Sequence, residues 1–118
     1  MGDQTADPTA PVQAQLEAYN RRDLEAFLAC YAPDCRTEDG AGNVLAADRE
    51  ATRQICAALF ANSPDLHVEV PTRMVVGSYV VDEEYVTGAR LPGFPEEVHG
   101  VAVYRVADGL VQHLRVLM

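Results

Sequence analysis

Apolar and polar positions follow two different periods along this chain, and the change of period divides it. In residues 12–31 the apolar residues recur at helical spacing. Val12, Leu16 and Tyr19 form one stripe, with Ala14 and Ala18 on the same side. Asn20-Arg21-Arg22 interrupts the pattern. Asp23 then predicts a cap for a second helix, because its carboxylate can accept the free N–H groups of the next turn. Leu24, Phe27, Leu28 and Tyr31 stand at i, i+3, i+4 and i+7 of that helix. Pro33 predicts its end, since the residue before a proline is pushed out of the helical region. Residues 36–39 read as a short strand, 40–43 as a turn and 44–46 as a second short strand. Asp48 predicts the cap of a third helix with Ala51, Ile55, Ala58 and Leu59 inward, ended by Asn62-Ser63-Pro64.

From Leu66 onward the period is two. Leu66, Val68 and Val70 alternate with His67 and Glu69. Gly77-Ser78 marks a hairpin turn, residues 79–87 a strand, residues 90–97 the longest loop, and residues 98–106 the next strand. Ala107-Asp108-Gly109 turns the chain into a last strand over residues 110–117. The order α-α-β-β-α-β-β-β-β predicts an α+β fold with the helices gathered on one face of an antiparallel sheet. Both faces of the last strands carry apolar residues. Val98, Ala102, Tyr104 and Val106 share one face, and Val101 and Val103 the other. Leu114 and Val116 oppose Val111 and Leu117. A sheet with one wet face alternates cleanly. A second covered face with no helix left to cover it predicts a homodimer through the outer sheet face.

At 118 residues the chain is one domain. Residues 1–10 read as a flexible tail and 11–118 as the folded unit. A hydrophobic content of 48% supports a globular core. The net charge of -9 argues against nucleic acid and against an anionic membrane surface, since either needs a basic face. Cys30, Cys35 and Cys56 show no ligand spacing, and His67, His99 and His113 are dispersed over different strands. No metal is therefore expected. Nothing reads as a signal peptide or membrane span, which predicts a cytoplasmic protein.

The stretches Ala18-Tyr19-Asn20-Arg21-Arg22-Asp23-Leu24, Tyr31-Ala32-Pro33-Asp34, Thr37-Glu38-Asp39, Val103-Tyr104-Arg105-Val106 and Asp108-Gly109-Leu110-Val111 together resemble the nuclear transport factor 2-like superfamily. The resemblance lies in its SnoaL-like and ketosteroid-isomerase-like branch and covers about residues 10–117. It implies a cone-shaped, cystatin-like α+β barrel with a curved antiparallel sheet around a pocket. It also implies a steroid delta-isomerase-like carboxylate base at Asp39. The positions of that enzyme's two oxyanion donors fall on Gln15 and Ala102, neither of which supplies the phenol or the carboxylic acid. Losing one such donor costs on the order of 100- to 1,000-fold. That departure counts against true ketosteroid isomerisation.

Asp39 is thus the candidate base, with Tyr104 as hydrogen-bond donor. The plainer reading of Asp39 is a turn residue before Gly40, bonded to its own backbone. Tyr85 and Glu83 are expected on the pocket side, with Gln15, Tyr19, Ala102 and Leu114 completing the wall. The plainer readings are aromatic core residues with satisfied hydroxyls and a solvated carboxylate. Two functions follow. One is a cofactor-independent isomerase or lyase acting on a small apolar, polyketide- or steroid-like molecule. The other is a non-catalytic ligand-binding or dimeric assembly module with the same pocket.

Overall fold

The computed structural model describes residues 7–118. Helix α1 (Thr9–Arg21) starts where Asp7 and Pro8 prepare it. The Asp7 carboxylate accepts the Thr9 N–H at 2.9 Å and its hydroxyl at 2.7 Å. Pro11 loses nothing in the first turn, where an N–H has no intrahelical partner. The helix therefore begins inside the expected tail; residues 1–6 of that tail lie outside the described residues. Arg22 closes α1 with a left-handed φ of 56°. The Asn20 amide then acts as a substitute strand. It donates to the Val68 carbonyl at 3.0 Å and accepts the Val68 N–H at 2.8 Å. Arg22 Nη1 adds a bond to the Leu66 carbonyl at 3.1 Å. The polar interruption of the helical pattern is what clamps α1 across the start of strand β3 (His67–Val76).

Helix α2 (Leu24–Leu28) is capped by Asp23, which accepts the Ala26 N–H at 3.2 Å. It is shorter than its apolar spacing predicts. Tyr31 belongs instead to strand β1 (Tyr31–Asp39), which absorbs Pro33 without strain. The reason is tertiary. The Cys30 carbonyl accepts the Val111 N–H at 2.9 Å, so pairing with strand β6 (Leu110–Leu117) begins just after the helix. Tyr31 still meets Phe27, at 5.0 Å between ring centroids, but from the strand. Strand β2 (Val44–Ala46) follows a turn, and Asp48 caps helix α3 (Arg49–Asn62) by accepting the Ala51 N–H at 2.8 Å.

Strands β4 (Tyr79–Thr87) and β5 (Val98–Ala107) complete a six-stranded sheet of order β2-β1-β6-β5-β4-β3. The sheet is mixed, which corrects the all-antiparallel expectation. The meander from β3 to β6 ends beside β1 with both chains running the same way, so β1 and β6 pair in parallel. Helices α1 and α3 pack on the sheet's inner face. Val12, Phe27, Leu28, Leu59, Leu66 and Val80 fill the space between.

Register decides which side chains face inward, and two expectations change. Opposite Arg105 and Val106, β6 carries Gln112 as an extra residue, and this bulge turns Val111 inward, where it is fully buried opposite Val106. It is not part of the outer face. On β4 the inward set is Val80, Asp82, Glu84 and Val86. Glu83 and Tyr85 point outward, opposite to the expected parity. There Glu83 bonds His99 at 2.8 Å and Tyr85 stacks on the same ring at 3.9 Å.

Gly88 ends β4 with φ at +78°, and a Cβ there would sit 2.3 Å from the Asp65 carbonyl oxygen. Gly88→Ala should lower the unfolding free energy by about 2 kcal/mol or more, from left-handed strain plus a main-chain clash. Gly77→Ala, also at positive φ but with nothing within 4 Å of its Cβ, should cost about 1 kcal/mol. Urea denaturation of both variants separates strain from contact. Equal losses would mean that the approach to Asp65 is not what requires glycine at 88.

Candidate functional site

The inner sheet face, α1 and α3 enclose a cavity of about 430 Å³. That lies in the range of about 300–1,000 Å³ usual for small-molecule sites. Its wall is mostly apolar: Leu16, Leu59, Val68, Val86, Val98 and Leu114 form much of it, with Phe27 and Phe94. The aromatic side is rigid. Tyr19, Phe27 and Phe60 lie edge to face or tilted, with centroids 5.3 to 5.8 Å apart.

A single chain of polar side chains crosses this wall. Tyr31 OH donates to Gln15 Oε1 at 2.9 Å. Gln15 Nε2 donates to the Val12 carbonyl at 3.0 Å and to the Tyr104 oxygen at 3.1 Å. Tyr104 OH donates to Glu84 Oε2 at 3.0 Å. Among the described residues no buried side-chain polar atom lacks a partner. Glu84, at the end of this chain, itself lines the cavity.

Burial pushes the Glu84 carboxyl up to about 7. The Tyr104 hydrogen bond opposes that rise, the nearby Asp82 charge adds to it, and Arg73 opposes it. Asp82 is fully buried and held by Arg73 through two bonds, Nε to Oδ1 at 2.7 Å and Nη2 to Oδ2 at 3.0 Å. Burial also drives the Tyr104 and Tyr31 hydroxyls far above their ordinary range, so both stay neutral donors.

Of the residues expected at the site, Gln15, Tyr19, Tyr104 and Leu114 lie in the cavity wall. Ala102 is buried in the sheet, in register with Asp82 and Val116, and is not part of the wall. Glu83 and Tyr85 are on the far face. Asp39 sits at the end of β1 and is not among the residues that line the cavity. Its Oδ1 accepts the Ala41 and Asn43 N–H groups at 2.9 Å each, and Oδ2 accepts the Asn43 side chain at 3.0 Å. The Asn43 bonds hold its carboxyl below the ordinary value. A base in an apolar pocket would shift the other way, and the turn accounts for this carboxylate. The carboxyl that lines the cavity is Glu84. Its signal was the alternation Val80, Asp82, Glu84, Val86 on β4. Among the described residues no group of three or more His, Cys, Asp or Glu side chains is arranged to hold a metal.

A carboxyl raised from 4.5 in the unfolded chain to about 7 binds its proton better in the folded state. Its stabilising contribution is complete below the unfolded value and is lost as pH rises through about 7. Glu84→Gln should flatten this part of the stability–pH profile. The variant should gain on the wild type at pH 8 by an amount on the order of 3 kcal/mol, the free energy of a shift of that size. Thermal melts at a series of pH values check it; parallel profiles would show that Glu84 titrates normally.

The SnoaL-like domain model matches residues 12–114. An uncharacterized cystatin-fold protein from Novosphingobium aromaticivorans superposes with a TM-score of 0.85, at 28% identity over 96% of this chain and 99% of that one. An LEH-like epoxide hydrolase from M. tuberculosis follows at 0.78, with 16% identity over 93% of this chain and 80% of that one. A computationally designed 17-OHP binder superposes at 0.77, with 21% identity over 94% and 91%. At such identities the last two show the fold alone. Among curated proteins none matches. With a helix-lined cavity, a six-stranded mixed sheet and a family match over nearly its whole length, the chain belongs to the SnoaL-like domain family and has the nuclear transport factor 2-like, ketosteroid-isomerase-like fold.

Proposed function

We propose that the cavity binds a small, largely apolar molecule with a polar head, and that Glu84 moves a proton on it. The observation that carries this reading is one carboxyl, poised near neutrality, in the wall of an apolar cavity and 3.0 Å from a tyrosine hydroxyl. Such a group is half ionised at neutral pH and can take a proton and return it in one cycle. Tyr104 completes the pair. Once Glu84 holds a proton, the Tyr104 hydroxyl is free to donate to a ligand oxygen. This is isomerase or lyase chemistry, and none of its steps calls for a cofactor.

A specific observation favours a second reading, binding without turnover. Both N–H groups of Gln15 are committed, to Val12 and to Tyr104. An enolate in this cavity would find neither N–H of Gln15 free to meet it, and each missing donor costs on the order of 100-fold or more. The designed 17-OHP binder carries the same fold as a binding protein.

A bicyclic β,γ-unsaturated ketone discriminates the two, with conversion followed by enone absorbance and binding by tyrosine fluorescence. Proton transfer predicts conversion that rises with pH through about 7 as Glu84 ionises. Glu84→Gln should lower it at least about 100-fold, and Asp39→Asn should leave it unchanged. Tight binding with no conversion above the Glu84→Gln background would establish the binding reading.

We infer further that a second copy covers the outer sheet face. Met74, Val81, Val101, Val103 and Leu117 form an apolar patch there by register, with Met74 and Leu117 exposed. Arg36, Arg105 and Arg115 flank it on one side, and Glu69 and Glu83 on the other. A two-fold axis along the strands lays each flank over its opposite. Val101→Glu with Val103→Glu should give monomers by light scattering; a wild type already monomeric at high concentration removes the idea. Three free, buried thiols suit a reducing compartment such as the cytoplasm. No helix among the described residues is long and apolar enough to cross a membrane.

A further inference from the structure

We propose that the Glu84 cavity selects ligands carrying one positive charge on nitrogen, an amine or iminium on an apolar skeleton. The proposal rests on the reading that Glu84 faces the cavity's ligand. Among the described residues that line the cavity, Glu84 has the one side-chain carboxylate, and no Lys, Arg or His joins it. The one full charge a ligand can meet there is negative.

The groups around Glu84 leave that charge uncompensated. On β3, Arg73 is committed to Asp82 through two bonds and to Gln13 Oε1 through a third at 2.9 Å. On β4, Asp82 is the partner in that pair. On β5, β1 and α1, burial keeps Tyr104, Tyr31 and Tyr19 neutral. On α3, burial pushes the Cys56 thiol up to about 12. An ionised carboxylate held among apolar side chains without a counter-ion is costly, and a cationic ligand removes that cost. Tyr19, Phe27 and Phe94 also line the wall, and an aromatic ring that meets a cation with its face attracts it. A net charge of -9 draws cations toward the protein from a distance.

The same charge suits proton transfer. When Glu84 takes a proton from the carbon next to a C=N⁺ group, the C–H electron pair becomes a C=C bond. The C=N π pair moves to nitrogen. The products are a neutral enamine and a protonated Glu84. Where the iminium carries a β,γ C=C bond the product is a dienamine, and returning the proton to its γ carbon restores an iminium, now conjugated, and the carboxylate. No negative oxygen forms, so the oxyanion donors missing at Gln15 and Ala102 are not needed.

Three probes of matched shape test charge selection by calorimetry: N,N-dimethylcyclohexylamine, isopropylcyclohexane and cyclohexanecarboxylate. At pH 8 the amine should bind at least about tenfold tighter than the hydrocarbon. That preference should shrink by up to about tenfold per unit as pH falls below the Glu84 value, while hydrocarbon binding stays flat. The carboxylate should bind weakest. Glu84→Gln should keep hydrocarbon binding and lose the amine preference. Equal binding of amine and hydrocarbon to the wild type at pH 8 overturns the proposal, and so does failure of all three to bind. If charge selection fails while the ketone is still converted in a Glu84-dependent way, proton transfer stands without it. If the amine preference holds and no ketone is converted, the site binds cations and does not turn neutral ketones over.

Discussion

A chain of four polar side chains crosses the interior, and the three hydrogen bonds that link them all run the same way. Tyr31 donates to Gln15, Gln15 to Tyr104, and Tyr104 to Glu84. Gln15, Tyr31 and Tyr104 are buried, so each link has to be made within the protein. A buried polar group left unpaired costs about 1–3 kcal/mol. The four residues come from β1, α1, β5 and β4. Satisfying all of them at once fixes how far α1 slides along the sheet and how it is rotated. Asn20 pins the other end of the same helix to Val68. Between these two anchors the apolar stripe of Val12, Leu16 and Tyr19 has one seating on the sheet.

The direction of the chain also sets the chemistry at its end. Donors aimed at Glu84 favour its ionised form, and burial in the apolar wall opposes it more strongly. Asp82 and Arg73 act on Glu84 with opposite signs and hold each other through two bonds. The balance brings a glutamate to about 7, where proton transfer in either direction is nearly free of cost. The stability that Glu84 forfeits above that pH is the penalty of keeping an ionisable carboxyl in an apolar site.

The order of elements was legible in the sequence because helix caps and hairpin turns are local. Asp23, Asp48, Gly77 and Gly109 act within three or four residues of themselves. What failed was set by contacts far apart in the chain. Tyr31 completes a helical stripe on paper, yet the pairing of β1 with β6 claims it, and nothing near Tyr31 encodes that. Val111 changes face because Gln112 is an extra residue in β6, an irregularity defined only by pairing with β5. Asp39 was singled out by its resemblance, while its turn chemistry with Asn43 was written beside it. Glu84 was recoverable. The Gly77-Ser78 turn puts Arg73 opposite Asp82, an ion pair that marks the face Glu84 shares.

Gln15 connects the departure from the ketosteroid-isomerase pattern with the site that stands in its place. At the position where the resemblance leads one to expect a phenol pointed at the ligand, this chain has an amide with no hydrogen left over. Its two N–H groups hold Val12 and Tyr104, and its oxygen holds Tyr31. The residue therefore orients Tyr104, which turns its own hydrogen toward Glu84. A first-helix phenol would contribute a single hydrogen and could not both hold Tyr104 in this way and face the ligand. The loss of an oxyanion donor on α1 and the gain of an oriented carboxyl on β4 are consequences of the same side chain. A site built this way concentrates its electrostatics in one titratable acid instead of a set of fixed donors. The charge it presents is switched by pH, and its reach is limited to the ligand atom beside Glu84.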